Sequence, residues 1–226
     1  RIFLKKEEKK KKKPLFYNIM AALYIVGTPI GNLKDISLRA IETLKEADLI
    51  LCEDTRVTKT LLDRYEIKTP TLSYHQHSQL KKVEEILQLL KGGKNLALVS
   101  DAGTPGIADP GGKLVESVVK ALAETVKIVP VPGTNALVAA ASIAGFAMDR
   151  FVFLGFPPAK NKRKKFLGEL VGSKYPAVFF ESKHRILKTL KELALLDDKL
   201  TLVVCRELTK KFETIYRGTI EEVLKQ

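Results

Sequence analysis

The chain of 226 residues contains no tryptophan and only two cysteines, Cys52 and Cys205. Two widely separated cysteines exclude a disulfide framework and a zinc site built from clustered cysteines. Both lie within apolar runs, where a thiol usually behaves as a small buried apolar group. The cysteine usage therefore indicates a reducing compartment, and we expect a cytoplasmic protein.

Long apolar runs are also absent. No stretch approaches the ~20 consecutive apolar residues that a helix needs to cross a bilayer, so we expect no membrane association. The sequence has neither a G-x-G-x-x-G motif after a strand nor a G-x-x-x-x-G-K-[ST] motif. The common dinucleotide and P-loop phosphate sites are therefore excluded. No repeat of ~20 to 50 residues occurs, which excludes a solenoid or propeller.

Acidic residues are scarce relative to basic ones. The chain has 26 Asp and Glu against 39 Lys and Arg, which gives a formal net charge of +13. Residues 1–13 are rich in lysine and lack the apolar core of a secretory signal, so we expect residues 1–20 to form a solvated basic tail. The positive excess on the remaining chain points to a polyanionic partner such as RNA.

Short apolar runs alternate with amphipathic helical patterns, as is typical of α/β proteins. The first runs predict an N-terminal α/β domain over residues 21–132 with a parallel-rich sheet. A second α/β domain over 133–226 is expected to contain a mixed sheet, because its last connections are short enough for antiparallel pairs. Ser37 is the predicted N-cap of a helix over 37–47, and Thr134 or Asn135 that of a helix over 136–144.

Four turns rich in glycine, proline or acidic residues follow predicted strands, at 27–32, 52–56, 101–111 and 155–159. The turn at 101–111 is the most informative, because its closely spaced glycines and prolines let a ligand approach bare peptide groups. Loops at the carboxyl ends of strands are where open α/β sheets bind small molecules. We expect these turns to converge on one edge of a sheet.

Four carboxylates lie on these turns: Glu53, Asp54, Asp101 and Asp109. They could gather around Mg²⁺, but they could equally accept hydrogen bonds from loop amides, pair with Arg56 or cap a helix. The sequence leaves these alternatives open.

A pair of histidines, His75 and His77, could supply two metal ligands. No third ligand is identifiable by spacing, so an exposed or substrate-contacting loop is the favoured interpretation. We predict no metal site.

Two clusters of basic residues follow later turns, at 160–165 and 206–211. Such a run is often only a solvated face. The functional alternative is contact with the phosphates of a nucleic acid, which would make binding weaken as salt rises.

Four motifs are specific enough to indicate a family: Gly27-Thr-Pro-Ile-Gly-Asn-Leu33, Cys52-Glu-Asp-Thr-Arg56, Val99-Ser-Asp-Ala-Gly-Thr-Pro105 and Phe180-Glu-Ser-Lys-His-Arg185. They closely resemble the ribosomal RNA small subunit methyltransferase I family of the tetrapyrrole methylase superfamily. The resemblance implies two α/β domains with S-adenosylmethionine in the cleft between them, and a homodimer. It also implies 2′-O-methylation of a cytidine in the decoding region of bacterial 16S rRNA, with the small ribosomal subunit as partner.

The resemblance further implies site residues, although the chain departs from the usual motifs at Ala108, in Pro132-Gly-Thr-Asn135 and at Lys183. The cofactor-binding residues would be Pro29, Asp101, Ala102, Gly103, Thr104, Ile107, Ala108, Pro132, Gly133, Thr134, Phe180 and Arg206. The RNA-binding residues would be Arg56, Lys160, Lys162, Arg163, Lys164, Lys165 and Lys210. The catalytic residue is left unassigned, with Asp101, His75 and Glu207 as candidates to contact the ribose hydroxyl.

Three other functions remain open from the sequence. A sibling of the superfamily would methylate a tetrapyrrole or diphthamide precursor, and the lysine cluster would then be incidental. A non-catalytic RNA-binding ribosome-assembly factor would keep the fold without turnover. An Mg²⁺-dependent phosphoryl enzyme would use the loop carboxylates.

Overall fold

The computed structural model of the chain describes residues 20–75 and 80–226. The predicted basic tail up to residue 19, and His77, lie outside the described residues. The strands are β1 (Ala21–Val26), β2 (Leu49–Cys52), β3 (Thr71–Ser73), β4 (Leu96–Leu98), β5 (Val126–Val131), β6 (Val152–Phe153), β7 (Ala177–Val178), β8 (Thr201–Arg206) and β9 (Thr214–Thr219). The α-helices are α1 (Leu38–Glu46), α2 (Thr55–Arg64), α3 (Leu80–Lys91), α4 (Gly111–Leu122), α5 (Ala136–Ile143), α6 (Arg163–Val171), α7 (Ile186–Ala194) and α8 (Ile220–Lys225).

The first five strands form one parallel sheet in the order β3-β2-β4-β1-β5. Strand β1 lies between β4 and β5, with Leu23 opposite Leu96 on β4 and Ile128 on β5. Leu23 and Leu96 are fully buried, as expected for central strands of a parallel sheet covered by helices on both faces. The predicted parallel-rich sheet is therefore confirmed.

Helices cover the two faces of this sheet. Helices α3 and α4 pack on one face, where Ile86, Leu90 and Leu114 join a buried cluster with Leu23. Helices α1 and α2 pack on the other face through Leu44, Leu61 and neighbouring side chains. Helix α1 begins where predicted, because the Ser37 hydroxyl accepts a hydrogen bond from the Ala40 amide at 3.1 Å.

The second half contains both strand orientations that the sequence predicts, in two separate ladders. Strands β6 and β7 are parallel, whereas β8 and β9 are antiparallel. Helices α6, α7 and α8 share a core around Leu167, Leu193 and Ile220. The chain enters this half through α5, whose N-cap is Asn135. The domain limits at residues 20 and 132 remain predictions.

Two of these strands and α-helices, β3 and α8, were not predicted from the sequence. Strand β3 has only three residues and pairs at the edge of the sheet, so its pattern is too short to recognise. Helix α8 carries a readable signal, because Thr219 and Glu222 form a reciprocal capping box at its start. Among the described helices, none is long and apolar enough to cross a membrane.

Candidate functional site

Four connections leave the carboxyl ends of neighbouring parallel strands and meet at one edge of the sheet, named here the rim. They are the β1 loop (27–32), the β2 turn (53–54), the β4 loop (99–110) and the β5 turn (132–135). The first three correspond to the turns at 27–32, 52–56 and 101–111, which the sequence predicts to converge on one edge of a sheet. The turn at 155–159 follows β6 instead and so belongs to the separate β6–β7 ladder.

The β1 and β4 loops are joined by reciprocal backbone hydrogen bonds. The Thr28 amide donates to the Gly103 carbonyl at 2.9 Å, and the Gly103 amide donates to the Thr28 carbonyl at 3.1 Å. The buried Thr28 hydroxyl lies 3.3 Å from the carbonyl oxygens of both Ser100 and Gly103. These bonds fix the two loops as one unit, so that Pro29 and Asp101 are held beside each other.

The β5 turn closes onto the same unit. The Thr134 hydroxyl donates to the Thr28 carbonyl, and the Thr104 hydroxyl donates to the Thr134 carbonyl at 3.1 Å. Gly27 and Gly133 approach so closely that a Cβ on Gly133 would lie 2.5 Å from the Gly27 oxygen. The predicted cofactor residues of the first half are thus gathered along the rim.

Asp109 shapes the β4 loop from within. Its Oδ1 accepts hydrogen bonds from the Gly106 and Gly111 amides, both at 2.7 Å. Beside it, Ala108 adopts a left-handed φ of 63°, a conformation that costs about 1–2 kcal/mol for a residue with a Cβ. Asp109 is therefore a structural loop residue, as in the hydrogen-bonding alternative of the sequence analysis.

The two acids of the β2 turn have opposite electrostatic environments. Hydrogen bonds from Arg56, whose Nη2 lies 2.6 Å from Asp54 Oδ2, lower the pKa of Asp54 to about 2. Burial raises the pKa of Glu53 above its ordinary value, and the charges of Asp101 and Asp109 raise it further. Within residues 20–75 and 80–226, no three His, Cys, Asp or Glu side chains are placed to hold a metal ion.

The three candidates for contacting a ribose hydroxyl occupy different positions. Asp101 is exposed on the rim, and its Oδ1 accepts a hydrogen bond from the Asp54 amide at 3.0 Å. His75 is exposed two residues after β3, so it also follows a strand that ends at the rim. Glu207 adopts a left-handed φ of 55° after β8 and lies 3.3 Å from Lys210 Nζ. Asp101 is the candidate whose loop is fixed by the backbone hydrogen bonds between Thr28 and Gly103.

The second half reaches the rim through the loop after β8. A Cβ on Gly31 would lie 2.7 Å from the Leu208 oxygen and 2.6 Å from Lys210 Cγ. Only a glycine therefore fits at this contact between the halves. Arg206, exposed at the end of β8, precedes Leu208 by two residues. Sequence reasoning did not single out Gly31 for this role, because its partner is about 180 residues away.

Phe180 lies in an aromatic cluster of the second half. Its ring centroid is 5.0 Å from that of Phe153 and 5.4 Å from that of Phe156. Its amide donates to the Gly155 carbonyl at 2.9 Å, which links the end of β7 to the turn after β6. Its placement is thus set by the β6–β7 ladder rather than by the rim.

Arg163 is the one predicted RNA-binding residue that the structure places in the interior. It is only 7% exposed, and its guanidinium donates to Glu192, Thr189 and the Pro158 carbonyl at 2.7, 2.7 and 3.2 Å. It also lies 3.7 Å from Glu181, whose side chain is 2% exposed. The expectation that Arg163 faces RNA is wrong, because its guanidinium is buried and its N–H groups already donate hydrogen bonds within the protein.

The other predicted RNA-binding residues are at the surface. Lys160, Lys162, Lys164 and Lys165 are exposed around the start of α6. Lys165 is 3.8 Å from Glu169, a pair that solvent weakens. Arg56 and Lys210 are also exposed, but they pair with Asp54 and Glu207. Three of the four surface lysines, Lys160, Lys162 and Lys164, therefore make no ion pair within the described part of the chain.

The chain is similar to proteins of known family over almost its whole described length. Residues 22–224 match the model of the family described as Tetrapyrrole (Corrin/Porphyrin) Methylases. A protein of Thermotoga maritima named ribosomal RNA small subunit methyltransferase I is 44% identical over 205 residues, which cover 91% of each chain. A Synechocystis protein of the same name is 46% identical over 207 residues, covering 91% of this chain and 73% of the relative.

Solved structures share the fold. A diphthine synthase has a TM-score of 0.70 at 16% identity, and the alignment covers 91% of this chain and 85% of the diphthine synthase chain. Cobalt precorrin-4 methyltransferase has a TM-score of 0.65 at 24% identity, covering 89% of this chain and 87% of that one. The family resemblance drawn from the sequence motifs is thus confirmed. The chain belongs to the tetrapyrrole methylases and, within them, to the ribosomal RNA small subunit methyltransferase I family.

Proposed function

We propose that this methyltransferase transfers a methyl group from S-adenosylmethionine to the 2′-hydroxyl of a cytidine in the decoding region of bacterial 16S rRNA. The substrate is the small ribosomal subunit, and the reaction takes place in the cytoplasm. The observation that carries the proposal is the bonded unit of the β1 loop, β4 loop and β5 turn, in a chain 44% identical to a relative of that name over 91% of both proteins.

The residues at the rim fit S-adenosylmethionine, which supplies an electrophilic methyl group on a sulfonium. Small or apolar exposed positions offer their backbones to a ligand there: Ala102, Ile107, Ala108, Pro132 and Gly133. The Asp101 carboxylate complements a positive charge beside them. Positioning by such a rigid unit supplies much of the rate in a transfer that needs in-line approach.

The hydroxyl that accepts the methyl group must lose its proton during transfer. Asp101 is the first candidate to receive this proton, since its Oδ1 is held by the Asp54 amide at the rim. His75 is the second candidate, and Glu207, paired with Lys210, is the third.

Contact with RNA is assigned to Lys160, Lys162, Lys164 and Lys165, with Arg56 and Lys210 at the mouth of the site. All six are exposed, and lysines of this kind bind phosphates as point charges.

We also propose that the protein is a homodimer. Helix α5 is apolar except for Ser142, yet none of its residues is buried. Val138 is 61% exposed, and Phe146 just beyond the helix is 40% exposed. An apolar surface of this kind is typical of an interface, and a second copy of the chain would cover it.

The test is transfer of a labelled methyl group from S-adenosylmethionine to small ribosomal subunits from cells that lack this activity, followed by nucleoside analysis. We expect labelled 2′-O-methylcytidine. Cofactor binding without any incorporation of labelled methyl group would refute the proposed cytidine as the acceptor. No cofactor binding by the folded protein would favour a non-catalytic RNA-binding factor instead.

A further inference from the structure

A pocket of about 270 Å³ opens at the rim between the β1 loop, the end of β4 and helix α2. Apolar side chains form about half of its lining, and hydroxyls and one carboxylate form the rest. The lining residues are Thr28, Pro29, Leu33, Val57, Thr58, Thr60, Leu61, Val99, Ser100 and Asp101. Of the twelve residues assigned to the cofactor, only Pro29 and Asp101 are among them.

This pocket lies beside the cofactor residues rather than among them. Helix α2, which forms its outer wall, follows β2, whereas the cofactor residues 132–134 follow β5. Strand β1 separates β5 from β4 and β2 in the sheet. Asp101 is therefore at the boundary between the two, where a methyl donor and an acceptor must meet.

The size and lining of the pocket fit a single nucleobase. Its volume of about 270 Å³ is just below the roughly 300–1,000 Å³ of small-molecule sites, so a macrocycle would not enter it. Enzymes that act on one nucleotide in RNA or DNA hold its base in a narrow pocket with apolar walls and a few hydrogen-bonding groups. Hydroxyls such as those of Thr60 and Ser100 can hydrogen-bond the edge of the base, which leaves the Asp101 carboxylate for the ribose hydroxyl.

The opposite side of α2 carries a second feature, a groove of about 300 Å³ between this helix and residues 67–71. Three of its lining side chains are cations, Arg56, Lys59 and Lys68, and one is an acid, Asp63. Lys59 and Lys68 are exposed, and neither makes an ion pair within the described part of the chain. Such a groove suits the phosphates of a nucleic-acid strand.

We infer that α2 carries the acceptor strand: the target nucleobase enters the pocket lined by Val57 and Thr60, and the flanking phosphates follow the groove at Lys59 and Lys68. The inference rests on the proposed function and deepens it by locating the acceptor. The partner is an unpaired RNA segment with one base turned out of its stack. Asp101 then lies beside both the base and the cofactor residues.

Filling the pocket tests the first part. Val57→Phe adds a ring at a position that is 46% exposed, and Val119→Phe on α4, 50% exposed and outside the pocket, is the matched control. We expect Val57→Phe to keep the affinity for S-adenosylmethionine, measured by calorimetry, and to slow methyl transfer to small subunits roughly 100-fold. Thr60→Tyr is a second filling variant in case the first unfolds.

Three results would overturn this part. Equal transfer by Val57→Phe and Val119→Phe would show that the pocket is not used. Loss of cofactor binding in folded Val57→Phe would place the cofactor there. Wild-type protein that methylates no subunit would instead refute the proposed function, and the inference with it.

The groove is tested by salt dependence. The double variant Lys59→Ala/Lys68→Ala should bind small subunits more weakly, and its plot of log affinity against log salt should be shallower by about 1.4, at ~0.7 per bound phosphate. The control is Lys91→Ala/Lys127→Ala, which changes two exposed lysines away from α2. An unchanged slope in the α2 variant would rule out phosphate binding in the groove.

Discussion

Gly27 and Gly133 pack backbone against backbone where β1 and β5 end. A Cβ on Gly133 would lie 2.5 Å from the Gly27 oxygen, and a Cβ on Gly27 would lie 2.8 Å from the Gly133 Cα. The contact lets the β5 turn close over the β1 loop, so that the Thr134 hydroxyl reaches the Thr28 carbonyl. The cofactor site proposed at the rim depends on this close approach of the two backbones.

Gly133→Ala should therefore destabilise the fold and weaken cofactor binding. Overpacking of this kind costs about 1–3 kcal/mol, measured as the free energy of unfolding in urea. Gly168→Ala is the control, because a Cβ at that position in α6 meets nothing within 4 Å. The control should stabilise the protein by about 0.5–1 kcal/mol; matching effects of the two substitutions would contradict the prediction.

Arg163→Ala should unfold the second half more easily without a specific effect on RNA affinity. Its removal breaks three hydrogen bonds of a buried guanidinium and takes away one of the two cations beside Glu181, the other being Arg185 at 2.8 Å. Losing hydrogen bonds to a charged group of this kind costs about 1.5–3 kcal/mol. Lys164→Ala, at the next and exposed position, should change the unfolding free energy by less than about 0.5 kcal/mol. Thermal unfolding of both variants distinguishes a residue of the fold from one of the surface.

Glu53→Gln should stabilise the protein more at neutral than at acidic pH. Burial raises the pKa of Glu53 in the folded state, so the folded state holds its proton more tightly than the unfolded state. The charged form is thus disfavoured in the fold, and stability falls as pH rises through the unfolded and then the folded pKa. The melting temperature of Glu53→Gln should exceed that of wild type at pH 7, and the difference should shrink toward pH 4. A difference independent of pH would exclude this cause.

Replacing Lys160, Lys162, Lys164 and Lys165 together by alanine should weaken binding to small subunits. The salt dependence should flatten by ~0.7 for each phosphate that the variant no longer binds. The melting temperature should stay close to wild type, because all four side chains are exposed. Filter binding at several salt concentrations gives the slope. A slope equal to that of wild type would leave the cluster as a solvated face only.

Val138→Glu should convert the proposed homodimer to a monomer, since it places a charge on the exposed apolar helix α5. Val119→Glu is the control, at a position of similar exposure on α4. Light scattering after size exclusion gives the mass of each. Wild-type protein that is already monomeric, or Val138→Glu that remains dimeric, would refute α5 as the interface.

Local rules predicted most of the sheet and its rim. The Ser37 cap and the apolar runs of β1, β4 and β5 depend on neighbouring residues, so their patterns are visible in the sequence. Parallel strands then bring their carboxyl ends to one edge without further information.

Contacts between distant segments could not be predicted in the same way. Arg163 lies in a run of lysines and carries the same charge as they do. What places it inside the protein is its contact with Glu192 on α7 and with Glu181 in the loop before α7. The close approach of Gly31 to Leu208 and Lys210 joins opposite halves of the chain. No periodicity or capping signal records either contact.

The position of β1 between two later strands also affects how the chain folds while it is being made. Its partners β4 and β5 follow later, and β5 ends about 100 residues after β1 does. At about 5 to 20 residues per second, the ribosome needs roughly 5 to 20 s to supply them. During that interval the apolar segment of β1 has no partner strand on the nascent chain, which leaves its backbone groups and apolar side chains open to pairing with other chains.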